Sequence, residues 1–112
     1  MKTKVLEKYN AVIIELKGDV MGGDDTKEFN QLLHKLIEEG KKNVVIDLGE
    51  VKFMNSSGLG MLISGLTTIK RENGSLKLAN VTERIESLLI ITKLITIFES
   101  YDSVDEAIKS FS

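Results

Sequence analysis

The chain contains no cysteine, no proline and no tryptophan, and a single histidine, His34, among its 112 residues. Without cysteine there are no disulfides, no thiolate nucleophile and no cysteine-ligated zinc. One histidine cannot build a metal site by itself, and its neighbours Gln31, Lys35 and Glu38 place it on a polar helix face, where a solvated imidazole is expected. The lack of proline removes any proline-rich linker, and no internal repeat divides the chain. Nor is there a surplus of charge of one sign. Charged residues make up 29% of the chain but the formal net charge is only -2, so the basic stripe that phosphate-backbone binding needs is missing and direct nucleic-acid binding is not expected. Long apolar runs are missing too. The opening MKTKVLEKYN does not resemble a signal peptide, and no later stretch is long enough to cross a bilayer. The expectation is a soluble, cytoplasmic protein without a membrane partner.

What is present is an apolar fraction of 42%, enough to fill one hydrophobic core, so a single domain spanning residues 1–112 is expected. Strand-like and helix-like segments alternate. Lys4–Lys8 and Ala11–Leu16 carry β-branched residues on either side of Tyr9-Asn10, which predicts an antiparallel hairpin at a sheet edge. Phe29, Leu32, Leu33, Leu36 and Ile37 recur with a helical period, with Asp25 and Glu28 as a capping pair and Gly40 as the stop. Val44-Val45-Ile46 reads as a central strand covered on both faces, leading through Asp47-Leu48 to a turn at Gly49. A second helix is expected from Leu59 to about Arg71, with its N-terminus at Asn55-Ser56-Ser57. Leu76 and Leu78 mark a fourth strand, and Ile85, Leu88 and Leu89 a short helix starting near Asn80 or Thr82. Ile97-Phe98 suggests an edge strand, and Ser103-Val104-Asp105-Glu106 a capping box that opens the last helix. The fold class is therefore α/β, a mixed four- to five-stranded sheet packed with about four helices.

The segment Phe53-Met54-Asn55-Ser56-Ser57-Gly58-Leu59-Gly60 joins a strand to a helix and clusters hydroxyl and amide side chains where helical N–H groups lack partners. One acceptor is all that a helix cap requires. Two hydroxyls followed by two glycines exceed it, and a phosphate on either would meet free N–H groups and the positive end of the helix dipole. Other chemistries fit the sequence less well. Gly22-Gly23 and Gly58-x-Gly60 complete neither phosphate-loop pattern. The serine pair lacks the G-x-S-x-G elbow and an adjacent base. Asp19, Asp24, Asp25 and Asp47 lack metal-loop spacing. Phe53 and Met54 read as core anchors at the end of the strand, and Ile90, Ile91, Leu94 and Ile95 as core with a partly exposed end.

The run Asp47-Leu48-Gly49-Glu50-Val51-Lys52-Phe53-Met54-Asn55-Ser56-Ser57-Gly58-Leu59-Gly60 resembles the D-L-x-x-V-x-F-M-D-S-S-G-L-G stretch of the STAS-domain anti-sigma factor antagonists. Lys70–Asn80, Leu88-Leu89 through Lys93-Leu94, and Phe98 extend the likeness over almost the whole chain. The resemblance implies a STAS fold and a regulatory binding protein rather than an enzyme, with no cofactor and no metal. It implies that Ser56 is phosphorylated by a partner that is both an anti-sigma factor and a serine kinase. The unmodified form would bind that kinase and release a sigma factor, and a metal-dependent serine phosphatase would reset the switch. Two positions depart from the pattern: Asn55 stands where the family has aspartate, and Met21 stands where its G-x-[LV]-D element ends in an acid. Asp24 and Asp25, just downstream, are candidates to supply the charge. The residues expected beside the switch are thus Met21, Asp24, Asp25, Asn55, Ser57 and Gly58. A STAS module that binds a small ligand or a lipid-transport partner is the alternative reading.

Overall fold

The computed structural model describes residues 1–111. The chain order is β1 (Lys2–Lys8), β2 (Ala11–Val20), α1 (Asp24–Glu38), β3 (Asn43–Met54), α2 (Ser56–Arg71), β4 (Ser75–Ala79), α3 (Glu83–Ile91), β5 (Ser100–Tyr101) and α4 (Val104–Lys109). The strands form one mixed sheet in the order β1-β2-β3-β4-β5. β1 and β2 make the expected hairpin, Lys8 facing Ala11 across Tyr9-Asn10, with Tyr9 in the left-handed region at φ 58°. All other pairings are parallel.

Side-chain alternation sorts the strands between two cores. Val12, Ile14, Leu16, Val44, Ile46 and Leu48 are buried on the face covered by α1, α2 and α3, where Phe29, Leu33, Leu62, Ile85 and Leu89 meet them. Ala11, Ile13, Val45 and Ala79 face the other way and are covered by Ala107 and Ile108 of α4. β3 is therefore apolar at consecutive positions because both of its faces are covered. On the α4 side Lys77 is 7% exposed. Its amine donates to the Ser110 hydroxyl at 2.7 Å and the Ser110 carbonyl at 3.3 Å, and lies 4.4 Å from the centre of the Phe111 ring. The charge is thus shared between the C-terminal end of α4, where carbonyls lack partners, and the Glu99 carboxylate 3.5 Å away.

Three local expectations need correction. Gly49 does not end the strand: β3 runs on to Met54 because β2 pairs with it as far as Val20 opposite Met54, whereas β4 stops with Ala79 opposite Asp47. Asp47 marks that departure, its Oδ1 accepting from the Gly49 N–H and the Asn80 side-chain amide, both at 3.0 Å. The edge strand is Ser100–Tyr101 rather than Ile97-Phe98. Phe98 is a core residue instead, and the chain reaches β4 only at Glu99, whose carbonyl accepts from the Leu78 N–H at 2.9 Å. Asp25 does not cap α1; Gly23 takes the N-cap position at φ 62° without a side-chain cap, and Asp24 and Asp25 lie in the first turn, where their charge complements the helix dipole.

Candidate functional site

The parallel β2 and β3 end side by side, so the loops that lead into α1 and α2 share one edge of the sheet. At the β3–α2 joint Asn55 has an extended backbone, φ -96° and ψ -178°, and its Oδ1 accepts from the Gly58 N–H at 2.7 Å. Its carbonyl accepts from the Leu59 N–H at 2.9 Å and its own N–H donates to the Val20 carbonyl at 3.3 Å. Asn55 is therefore both the cap of α2 and a link to β2. The question left by the sequence, which of three polar residues caps the helix, is thereby settled in favour of the amide.

Capping consumes neither serine hydroxyl. Ser56, the first residue of α2, and Ser57 are both exposed. α2 carries no acidic residue in its first turn, so the partial positive charge of its free N–H groups is not offset within the helix. An added phosphate on Ser56 would enter a field that favours anions.

Two glycines bring the neighbouring loop onto this helix start. A Cβ on Gly58 would run into the Val20 carbonyl oxygen and stand 2.9 Å from the carbonyl carbon, so only glycine lets α2 begin directly against the end of β2. Gly22 is buried at φ +81°, and a Cβ there would stand 2.6 Å from Ser57 Cβ. Gly60 meets nothing within 4 Å; packing gives no reason for a glycine there. The β2–α1 loop thus brings Gly22 against Ser57. Met21, 46% exposed, precedes that contact; Asp24 is exposed and Asp25 partly so in the following helical turn.

Phe53 departs from its expected role. Met54 is buried, but Phe53 is 40% exposed. The register between β2 and β3 shifts between Gly18 and Asp19, opposite Val51 and Phe53, and such a bulge breaks the alternation from which inward positions are read. Ile90 and Ile91, 55% and 78% exposed, lie at the end of α3; the helical period turns both away from the buried face of Ile85 and Leu89, and Ile91 alone of the two borders the apolar surface of Phe53. His34 is exposed on α1, and Asp47 is occupied with the turn at Asn80. Among the described residues no helix is long and apolar enough to cross a membrane.

The chain as a whole matches known proteins over most of its length. The family model of the STAS domain matches residues 2–107. The anti-sigma-B factor antagonist of Bacillus subtilis (strain 168) is 32% identical over 93 residues, covering 80% of this chain and 81% of that protein. Two solved structures share the fold. The anti-sigma factor antagonist SpoIIAA in its unphosphorylated form superposes with a TM-score of 0.73 at 16% identity, over 97% of this chain and 96% of the other. The Bacillus cell fate determinant SpoIIAA in its phosphorylated form gives 0.74 at 17% identity, over 99% and 100%. The chain belongs to the STAS-domain family of anti-sigma factor antagonists.

Proposed function

We propose that this protein is an anti-sigma factor antagonist that acts by binding and catalyses no reaction. Its unmodified form holds an anti-sigma factor that is also a serine kinase, a sigma factor is released, and phosphorylation of Ser56 ends the binding. The observation that carries this reading is the division of labour at the start of α2. Asn55 performs the capping, so the Ser56 hydroxyl is left exposed at a helix N-terminus without a structural task. A phosphate there carries roughly 1.5 to 2 negative charges. The helix N-terminus accommodates it, so the fold survives while the docking surface gains negative charge. Met21, Asp24, Asn55, Ser57 and the Gly22–Gly58 seat form the rest of that surface, with Asp25 at its margin. A metal-dependent serine phosphatase would restore the unmodified form.

Titration of the unmodified protein and its Ser56-phosphorylated form into purified serine-kinase anti-sigma factors from the source genome tests the reading. Binding by the first form and at least about tenfold weaker binding by the second is the expected result, corresponding to about 1.4 kcal/mol. Equal affinities would remove the switch.

A further inference from the structure

Beside the serine loop lies a trough of about 250 Å³ between the end of β3 and α3, walled by Phe53, Arg84, Leu88 and Ile91 and floored by Met54 and Ile85. Its rim keeps apolar surface in water: Phe53 is 40% and Ile91 78% exposed. The volume falls short of the roughly 300 to 1,000 Å³ typical of small-ligand sites, and suits a few side chains of a partner protein better than a cofactor. Arg84 is the only charged residue in its wall and forms no ion pair among the described residues. At 100° per residue, Glu83, Glu86 and Ile90 fall on the other flank of α3, so the trough itself is apolar with one positive end. An aromatic and an unpaired arginine around an apolar recess are the residue types that dominate binding energy at protein interfaces.

We propose that this trough is the apolar half of the docking surface, and that it takes a segment of the anti-sigma factor bearing large aliphatic side chains and a carboxylate for Arg84. The inference rests on the reading of Ser56 given above, because Phe53 and Met54, which line the trough, lead along the chain directly into Asn55 and Ser56. Phosphorylation then alters one part of a larger interface, whose other part supplies affinity regardless of the state of Ser56.

The test is a calorimetric titration of purified serine-kinase anti-sigma factors from the source genome with the unmodified protein and four variants. Arg84→Glu and Ile91→Ser, both at exposed positions, should each weaken binding about tenfold or more. Ile90→Ser, on the opposite flank of α3, should stay within about twofold of the unmodified protein. Circular dichroism verifies that each variant is folded, and Leu88→Ala replaces Arg84→Glu or Ile91→Ser where either is not. If Ser56→Glu weakens binding while Arg84→Glu and Ile91→Ser leave it intact, the trough proposal is overturned and the switch stands. If Ile90→Ser is as harmful as Ile91→Ser, the trough is again refuted. If no anti-sigma factor binds the unmodified protein, both readings fall together.

Discussion

Gly22 lies directly on Ser57, so close that a Cβ on the glycine would stand 2.6 Å from the serine Cβ. Through this contact the β2–α1 loop and the start of α2 act as one surface. Gly22→Ala faces both a collision and a left-handed backbone at φ +81°, and should destabilise the protein by about 1 to 3 kcal/mol. Urea unfolding measures the loss; an unchanged midpoint would mean that the two loops are not in contact.

Asn55 should tolerate aspartate but not alanine. Asn55→Ala removes the acceptor of the Gly58 N–H and should cost about 1 kcal/mol. Asn55→Asp keeps that acceptor and should move stability by at most about 1 kcal/mol. With phosphate on Ser56 the aspartate variant should lose more, because two anions then share one helix end. Thermal midpoints of both chains with and without phosphate measure this; an equal response to phosphate would show that the amide has no such role.

Lys77 should matter mainly through the space its side chain fills under α4, with its amine's bonds to Ser110 and its ion pair with Glu99 the smaller part. Lys77→Ala leaves the Ser110 carbonyl and hydroxyl without their donor and opens space under α4, at a cost of about 2 to 4 kcal/mol. Lys77→Met fills most of that space and should cost less than half as much. Denaturant unfolding compares the two, and equal losses would contradict the distinction.

The ion pair between Lys8 and Asp105 ties the hairpin to α4 at 2.8 Å. The hydrogen bond with Lys8 holds the Asp105 carboxyl below its ordinary pKa, and the same bond raises that of Lys8. A lowered carboxyl stabilises the fold above its unfolded pKa of about 3.9, and that stabilisation fades as pH falls through the lower folded value. The raised lysine contributes below about 10.4 and loses its contribution as pH climbs through the higher folded value. Because both groups are exposed, the contribution is small and screened by salt. The midpoint difference between the native chain and Asp105→Asn should be flat from about pH 5 to 9, shrinking below about pH 4. A difference that instead grows in acid would contradict this account.

Legibility in the sequence followed the range of the interactions. The hairpin at Tyr9-Asn10, the cap at Ser103 and the buried run Val44–Ile46 were readable because each depends on residues within one turn or one strand. The length of β3 was not, because Gly49 continues the strand only where β2 remains alongside. Phe53 was misplaced for a related reason, since the bulge that turns it outward lies in the pairing with another strand. At the candidate site, the place of the serine pair at the start of α2 was legible from the sequence, whereas the seats of Gly22 and Gly58 depend on which loops the topology brings together.

The central claim is that Ser56, freed from capping by Asn55, is the phosphate acceptor. Incubation with a purified serine-kinase anti-sigma factor of the source genome and ATP, followed by peptide mass mapping of the native chain, Ser56→Ala and Ser57→Ala, addresses it most directly. The account predicts one phosphate on Ser56 in the native chain and in Ser57→Ala, and none in Ser56→Ala. Phosphate retained in Ser56→Ala, or carried mainly by Ser57, would contradict it.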